Sequence, residues 1–430
     1  MKRYLKHLSM FLLIAGTVHQ AYAQKVLPNM RPYDKRGLNM FEPPKNDTAT
    51  FTHLQLKIGA GFTQQFQALR HSNEATPNIV NGVDQNKLIT IGNGFNLATA
   101  NLNLDAELAD GIELNVITYL SSRHHNDTWV KGGYLQIDKL SFLHNQAIDH
   151  LMNYVRFRVG DFEINYGDAH FRRTDNGQAI QNPFVGNYIM DAFMTAISGE
   201  AYVMNKGWIG MIGVAGSQVN TTVTNPSSRG PAIYGKLGFD KQFTPDLRFR
   251  LTGSIYTNQK SPGNQLYNGD RGGSRYYLVM ENTQATISNN AWSGEYNPQF
   301  SNHVTSIMIN PFIQYRGLTF FGTYEHAQGR TGAETSNRKA DQLVGDLLYY
   351  FGPRQNIYVG IRYDWVKGEL PGVAQAVQVD RVQAALGWYI APTVLLKAEY
   401  VDQRYHNYPT NNINYGGQFH GLMLEGTVGF

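Results

Sequence analysis

The chain has 430 residues, no cysteine, 16% charged residues and 12% aromatic ones, with tyrosine (26) ahead of phenylalanine (22). Absence of cysteine excludes a disulfide framework, thiolate catalysis and a Cys-built zinc site, and a mean hydropathy of −0.37 excludes a bundle of transmembrane helices. Charge well below the usual quarter or so of a soluble domain, 43 glycines and few long apolar runs fit an all-β protein with one face in lipid.

Residues 1–23 read as a secretory signal peptide. Lys2, Arg3 and Lys6 make the positive start, 8–18 is the apolar stretch, and Ala21-Tyr22-Ala23 puts small residues where a signal peptidase reads. Gln24 is then the mature start. The apolar stretch is far shorter than the ~20 residues of a membrane-spanning helix. The formal charge of +4 belongs mostly to this segment: without its three bases, 34 of 37 remain against 33 acids. A nearly neutral mature chain makes nucleic acid an unexpected partner. Residues 24–50 are polar and carry Pro28, Pro32, Pro43 and Pro44, which predicts a periplasmic N-terminal lead-in.

Residues 51–430 form the predicted barrel. From residue 51 the dominant period is two. It predicts strands at 51–68, 95–108, 112–122, 129–140, 153–165, 193–205, 207–219, 230–240, 247–258, 303–316, 318–327, 340–351, 356–367, 379–390, 393–405 and 416–430. In the second, Ala100, Leu102, Leu104, Ala106 and Leu108 share one face and Asn101, Asn103, Asp105 and Glu107 the other. In the thirteenth, Ile357, Val359, Ile361, Tyr363 and Trp365 oppose Gly360, Arg362 and Asp364. The strands are long, and aromatic residues such as Tyr349, Tyr350, Trp388 and Tyr389 gather at their ends, as a membrane-interface girdle requires. Short turns follow even-numbered strands, at 109–111, 205–207, 241–246, 317, 352–355 and 391–392. They therefore fall on one side, with long polar loops on the other. The reading is a transmembrane, antiparallel, up-and-down β-barrel of about 16 strands, an allowed even number. Segment 259–302 is taken as one long external loop. Pairing of its apolar piece, 276–280, would give 18 strands instead.

The final strand ends on Phe430, with Val428, Gly426, Leu424 and Leu422 on its face and Thr427, Glu425 and Met423 opposite. It resembles the terminal strand by which the outer-membrane assembly machinery recognises its clients. The connection after strand five, 166–192, is similar in position, length and charge mix to the loop that folds into and narrows sixteen-stranded general porins. The stretch from Arg158-Val159-Gly160-Asp161-Phe162 to Tyr166-Gly167 loosely resembles strands of the phosphate-selective and alginate-export porins. These resemblances to the Gram-negative porin-like superfamily imply a cell outer-membrane location and contact with outer-membrane lipid and the assembly machinery. They imply small polar solutes as cargo, no cofactor, and compatibility with a homo-oligomer such as a trimer. They also imply an inward-folding loop whose Arg172 and Arg173, with Asp168 and Asp175, form the pore constriction. The blander expectation is that the two arginines pair with those two acids at the surface.

By parity, Arg156 and Arg158 on strand five, Lys236 on strand eight, and Arg248 and Arg250 on strand nine face inward as a basic wall. Asp105, Glu107 and Glu113 face inward on strands two and three as an acidic wall. Opposed walls would set a transverse field across a water-filled pore; solvation near the periplasmic rim would leave the same groups inert. There is no Gly-x-Ser-x-Gly, His-Glu-x-x-His, Walker loop or dinucleotide pattern, so no enzyme and no catalytic residue is expected. His124 and His125 with Asp127 sit on a predicted outer loop, where adjacent histidines point apart and chelate poorly. His53, His303, His326 and His420 are isolated, and no metal site is expected. The function expected is passive diffusion of small polar or ionic solutes. The alternatives are a lipase-like or protease-like barrel enzyme, and a non-conducting barrel serving export or a surface complex, which a plugged lumen would favour.

Overall fold

A computed structural model describes residues 27–45, 51–121, 128–216, 228–269 and 272–430. The signal segment 1–23 with Gln24, and the His124, His125 and Asp127 group, lie outside the described residues.

Sixteen long strands alternate side chains between two faces. They are β1 (Gln55–Ser72), β2 (Thr99–Ala109), β3 (Ile112–Ser121), β4 (Trp129–Ile137), β5 (Val155–Glu163), β6 (Thr195–Asn205), β7 (Trp208–Ala215) and β8 (Ala232–Gln242). There follow β9 (Leu247–Asn258), β10 (His303–Tyr315), β11 (Leu318–Arg330), β12 (Arg338–Phe351), β13 (Ile357–Gly368), β14 (Val377–Ala391), β15 (Val394–His406) and β16 (Gln418–Gly429). Each pairs antiparallel with the next, and β16 pairs back onto β1 from Gly61↔Gly429 to Ser72↔Gln418, closing the barrel. Closure leaves no sheet edge, the condition for a sheet in lipid. The period-two pattern sets which face is lipid. On β13, Ile357, Val359, Ile361 and Tyr363 are 43–50% exposed, whereas Tyr358, Arg362 and Asp364 are at most 1% exposed. Among the described residues no helix is long and apolar enough to cross a membrane; the crossing is made by strands.

Short connections gather at one end. Lys206-Gly207 turns β6 into β7 with φ of 49° and 94°, the left-handed pair of a two-residue hairpin. One connection at that end is long: 138–154 carries helix α1 (Gln146–Met152), its first turn capped by the Asn145 side chain. The long loops lie at the other end. Residues 276–280 add no strand; Tyr276, Val279 and Met280 are buried in the lumen instead. The count is therefore sixteen, because the apolar side chains of that piece find core partners rather than a sheet edge.

The lumen is filled by three segments: loop 164–194, the inner part of loop 259–302, and residues 27–45. Their apolar side chains pack with those of the wall. Val185, Ile189, Met190, Tyr276 and Val279 join Val304, Val366, Val401, Phe419 and Met423 in one cluster. A second seats Ile180 and Phe184 against Leu348, Tyr358 and Leu395. The lead-in expected as a periplasmic segment thus runs inside the mouth, with Leu27, Met30 and Phe41 at most 8% exposed. A polar, proline-bearing composition does not separate a free tail from a strap whose partners lie on distant strands.

Candidate functional site: a charged lumen closed by a strap and a loop

Strand parity aims charged side chains inward, and burial there demands partners. Residues 27–45, here called the strap, supply many of them while circling the inner wall at the short-turn end. Gln136 of β4 donates to the Asn29 carbonyl at 3.2 Å. Tyr33 donates to Asp105 of β2 at 2.9 Å; burial first, and then the Asp105 carboxylate, raise its phenol well above the ordinary value, so it remains a donor. The Lys35 ammonium caps the carbonyls of Arg354 and Gln355 in the β12–β13 turn, and its backbone N–H donates to Pro392 in the β14–β15 turn. Phe41 sits edge-on to Phe171 and Phe312. Glu42 lies 2.7 Å from Arg250 of β9 and 3.2 Å from Lys236 of β8. Arg156 of β5 donates to the Pro43 carbonyl at 2.8 Å. Finally Lys45 meets Asp138, just beyond β4, at 2.7 Å. The strap begins and ends beside β4, a full circuit of the barrel.

Loop 166–192 lies above the strap, buried along nearly all its length. Its four singled-out residues do not cluster, nor do they pair with one another. Asp168 accepts from Arg250 Nε and Nη2 at 2.8 Å, Thr252 at 2.7 Å and Lys236 at 2.8 Å. Arg172 donates to Asn39 of the strap and lies 3.8 Å from Asp346 of β12. Arg173 pairs with Asp191 farther along the loop. Asp175 takes Tyr119 of β3 and Lys131 of β4. Arg172 and Arg173 therefore do not pair with Asp168 and Asp175 at the surface: each is buried against another partner, on the strap and wall for Arg172 and on the loop itself for Arg173. Close contact extends to the backbone. At Gly177 a side chain would stand 2.6 Å from the Cα of Ala100, so only glycine lets the loop lie on β2.

The basic wall faces inward but is largely neutralised. Arg156 pairs with Asp138 at 2.9 Å, Arg248 with Asp240 at 2.6 Å, and Arg250 with Asp168, Asp240 and Glu42. Lys236 is held by Glu42, Asp168 and the Gly167 carbonyl. Arg158 differs: it donates to Gln136 at 2.8 Å and stacks near Tyr134 and Tyr202. On the acidic wall, Asp105 accepts from Tyr33 and Asn115, Glu113 accepts from Gln136 at 3.0 Å, and Glu107 is 3% exposed. The transverse field expected from opposed walls is therefore cancelled locally over β8 and β9. Burial alone would raise the Glu42 and Asp168 carboxyls, but Arg250 and Lys236 outweigh it and hold both below the ordinary carboxylate range.

Sequence reading missed Glu42, Asp138, Asp191 and Asp346. Asp346 was within reach: it pairs across strands with Arg362, their side chains 2.6 Å apart, and parity aims both inward. Glu42 carried no such signal, because its partners are about 200 residues away.

Chemically the lumen offers charged hydrogen bonding. Among the described residues no three His, Asp or Glu side chains could hold a metal. His170, His326 and His406 each meet one carboxylate, and no described serine or threonine hydroxyl bonds to them.

No family model and no curated protein matches the sequence. Solved structures do match. The anion-selective porin from Comamonas acidovorans superposes with a TM-score of 0.53 at 11% identity, covering 88% of this chain and 100% of that one. OmpF of Salmonella typhi, in complex with daunomycin, gives 0.50 at 12% identity, covering 87% and 98%. In-vitro folded OmpT, an outer membrane protein of Vibrio cholerae, gives 0.49 at 11% identity, covering 89% and 99%. The fold is that of the porin-like, sixteen-stranded outer-membrane barrel.

Proposed function

We propose that the protein is an outer-membrane, porin-like channel for passive diffusion of small polar or ionic solutes. The observation that carries this reading is the inward face. Charged and amide side chains line it on strands all round the barrel, while the outer face is apolar. A polar lumen is what a water column requires. In the arrangement described the column is closed by the strap and by loop 166–192, so conduction follows displacement of the strap. The segments that fill the lumen are held by ion pairs and hydrogen bonds, and the strap lies near one end of the chain. No residue is assigned chemistry in this reading. Arg172, Arg173, Asp168 and Asp175 hold the loop in place rather than face water. The terminal strand ending on Phe430 serves recognition by the assembly machinery.

The filled lumen favours a second reading, a non-conducting barrel that serves export or a surface complex. Liposome swelling separates the two. Vesicles holding the chain without residues 27–45 should swell in small sugars and amino acids, and more slowly as solute size grows. Vesicles that never swell, with intact or strapless barrel, would select the second reading.

A further inference from the structure

Between the strap and the wall of β3 to β5 the lumen keeps a cavity of about 180 Å³. At ~30 Å³ per water this is space for roughly six waters, or for one small organic molecule. Three arginines line it: Arg31 of the strap, Arg158 of β5, and Arg173 of the loop, which pairs with Asp191. Among the described residues neither Arg31 nor Arg158 has a carboxylate within ion-pair distance, in contrast to Lys236 of β8, Arg248 and Arg250 of β9 and Arg173 of the loop. Arg31 spends one amino group on the carbonyls of Gly37 and Phe171, at 3.0 and 2.6 Å, and its Nε is buried with no partner. Burial lowers its guanidinium to about 10, an effect that Glu163 offsets only in part. Arg158 uses only its Nε, toward Gln136, leaving its terminal amino groups free of described partners. The Tyr134 ring, 5.0 Å from the guanidinium carbon, and the Tyr202 ring at 5.5 Å fix its plane. Two of the acids that line the cavity are committed elsewhere, Glu163 to Lys131 and His170 and Asp175 to Lys131 and Tyr119.

Both side chains are half-buried, and a guanidinium's fork of donors matches a carboxylate bidentately. The rest of the lining mixes polar side chains, Lys131, Asp161 and Asn115 among them, with an apolar part that includes Met30, Ile117, Phe162 and Phe171. We propose that this cavity binds a small organic carboxylate with a planar apolar body, its carboxylate held by Arg31 and Arg158 and its body against Phe162 and Phe171. The site deepens the channel reading, on which its role as a resting place for a passing solute depends. Because Arg31 belongs to the strap, the occupant would also bridge strap and wall.

The test is calorimetric titration of the full barrel in detergent with benzoate, and with benzyl alcohol, benzamidine and inorganic phosphate as probes of shape without charge, opposite charge, and charge without an apolar body. Benzoate should bind, the alcohol and the cation should not, and phosphate should bind at least about tenfold more weakly (~1.4 kcal/mol). Arg158→Gln and Arg31→Gln should each weaken benzoate about tenfold or more, Arg31→Lys less, and the exposed Arg316→Gln not at all. Heat-modifiable gel mobility reports whether each variant is a folded barrel. Benzoate binding no better than benzyl alcohol, phosphate binding as tightly as benzoate, or folded Arg158→Gln and Arg31→Gln variants with unchanged binding would overturn the proposal. The titration needs no conduction. A barrel that binds benzoate but never conducts contradicts the channel alone, and one that conducts without binding contradicts the site alone.

Discussion

At the residue scale Asp168 is a dense node of the lumen. It gathers Arg250, Lys236 and Thr252, and its backbone N–H donates to Asn310 at 2.8 Å. Removing one partner of a buried network leaves uncompensated charge, a loss of about 3–5 kcal/mol. Asp168→Ala should therefore lower the temperature at which the barrel loses its compact gel mobility. Arg404→Ala, at an exposed pair on β15, should leave it unchanged. Acid dependence follows from the same node. Glu42 and Asp168 are held below the carboxyl values of an unfolded chain, about 4. Their contribution is complete above that value and is lost as pH falls through the depressed folded values. The barrel's melting temperature should hold from pH 7 to 5 and drop below about pH 4, with a smaller drop in Glu42→Gln. Inward aim of Arg156, Arg158, Lys236, Arg248 and Arg250 could be read from parity alone. What each would meet could not, since Glu42, Asp138 and Asp168 arrive from loops and the strap, which carry no period.

At the scale of elements, alternation on β13, β14 and β16 was legible because a one-residue slip would turn every apolar side chain from lipid to lumen. Long strands and short turns on one side then pointed to about sixteen strands, with eighteen left open until 276–280 proved to add none. The β4–β5 connection was not legible as a helix: α1 has only seven residues and no sustained apolar stripe. Leu386, mid-strand on the lipid face and 50% exposed, is the place to test the assigned faces. Leu386→Arg should cost about 2–4 kcal/mol, read by denaturant unfolding in lipid vesicles. The neighbouring lumen position is no more tolerant. Gln383 is fully buried and donates to Glu399 at 2.9 Å and to the Tyr276 hydroxyl at 3.1 Å. Gln383→Leu should destabilise as well, by about 1–3 kcal/mol. At the closing seam, Phe430 exchanges backbone hydrogen bonds with Ala60 at 3.0 and 3.1 Å. Deleting Phe430 should reduce the amount of inserted barrel, seen by fractionation of the outer membrane; normal levels would separate closure from terminal recognition.

Over the whole molecule the wall and its filling follow different rules. The wall obeys the pattern of a strand in lipid and was readable. The filling obeys the pattern of a globular interior, with apolar side chains such as Val185, Ile189 and Val279 fully buried and charges matched across long sequence distances. Nothing in a polar, proline-bearing lead-in announces that it will circle a lumen. The proposed channel is a polar lumen closed by its own strap. Single-channel recording in planar bilayers tests it most directly, on the intact chain and on one lacking residues 27–45, each folded by gel mobility. The intact barrel should stay closed for most of the record, with brief openings. The strapless barrel should conduct steadily, with a reversal potential in a salt gradient that Arg158→Gln shifts toward cations. A strapless barrel that is folded, inserted and electrically silent would contradict the account.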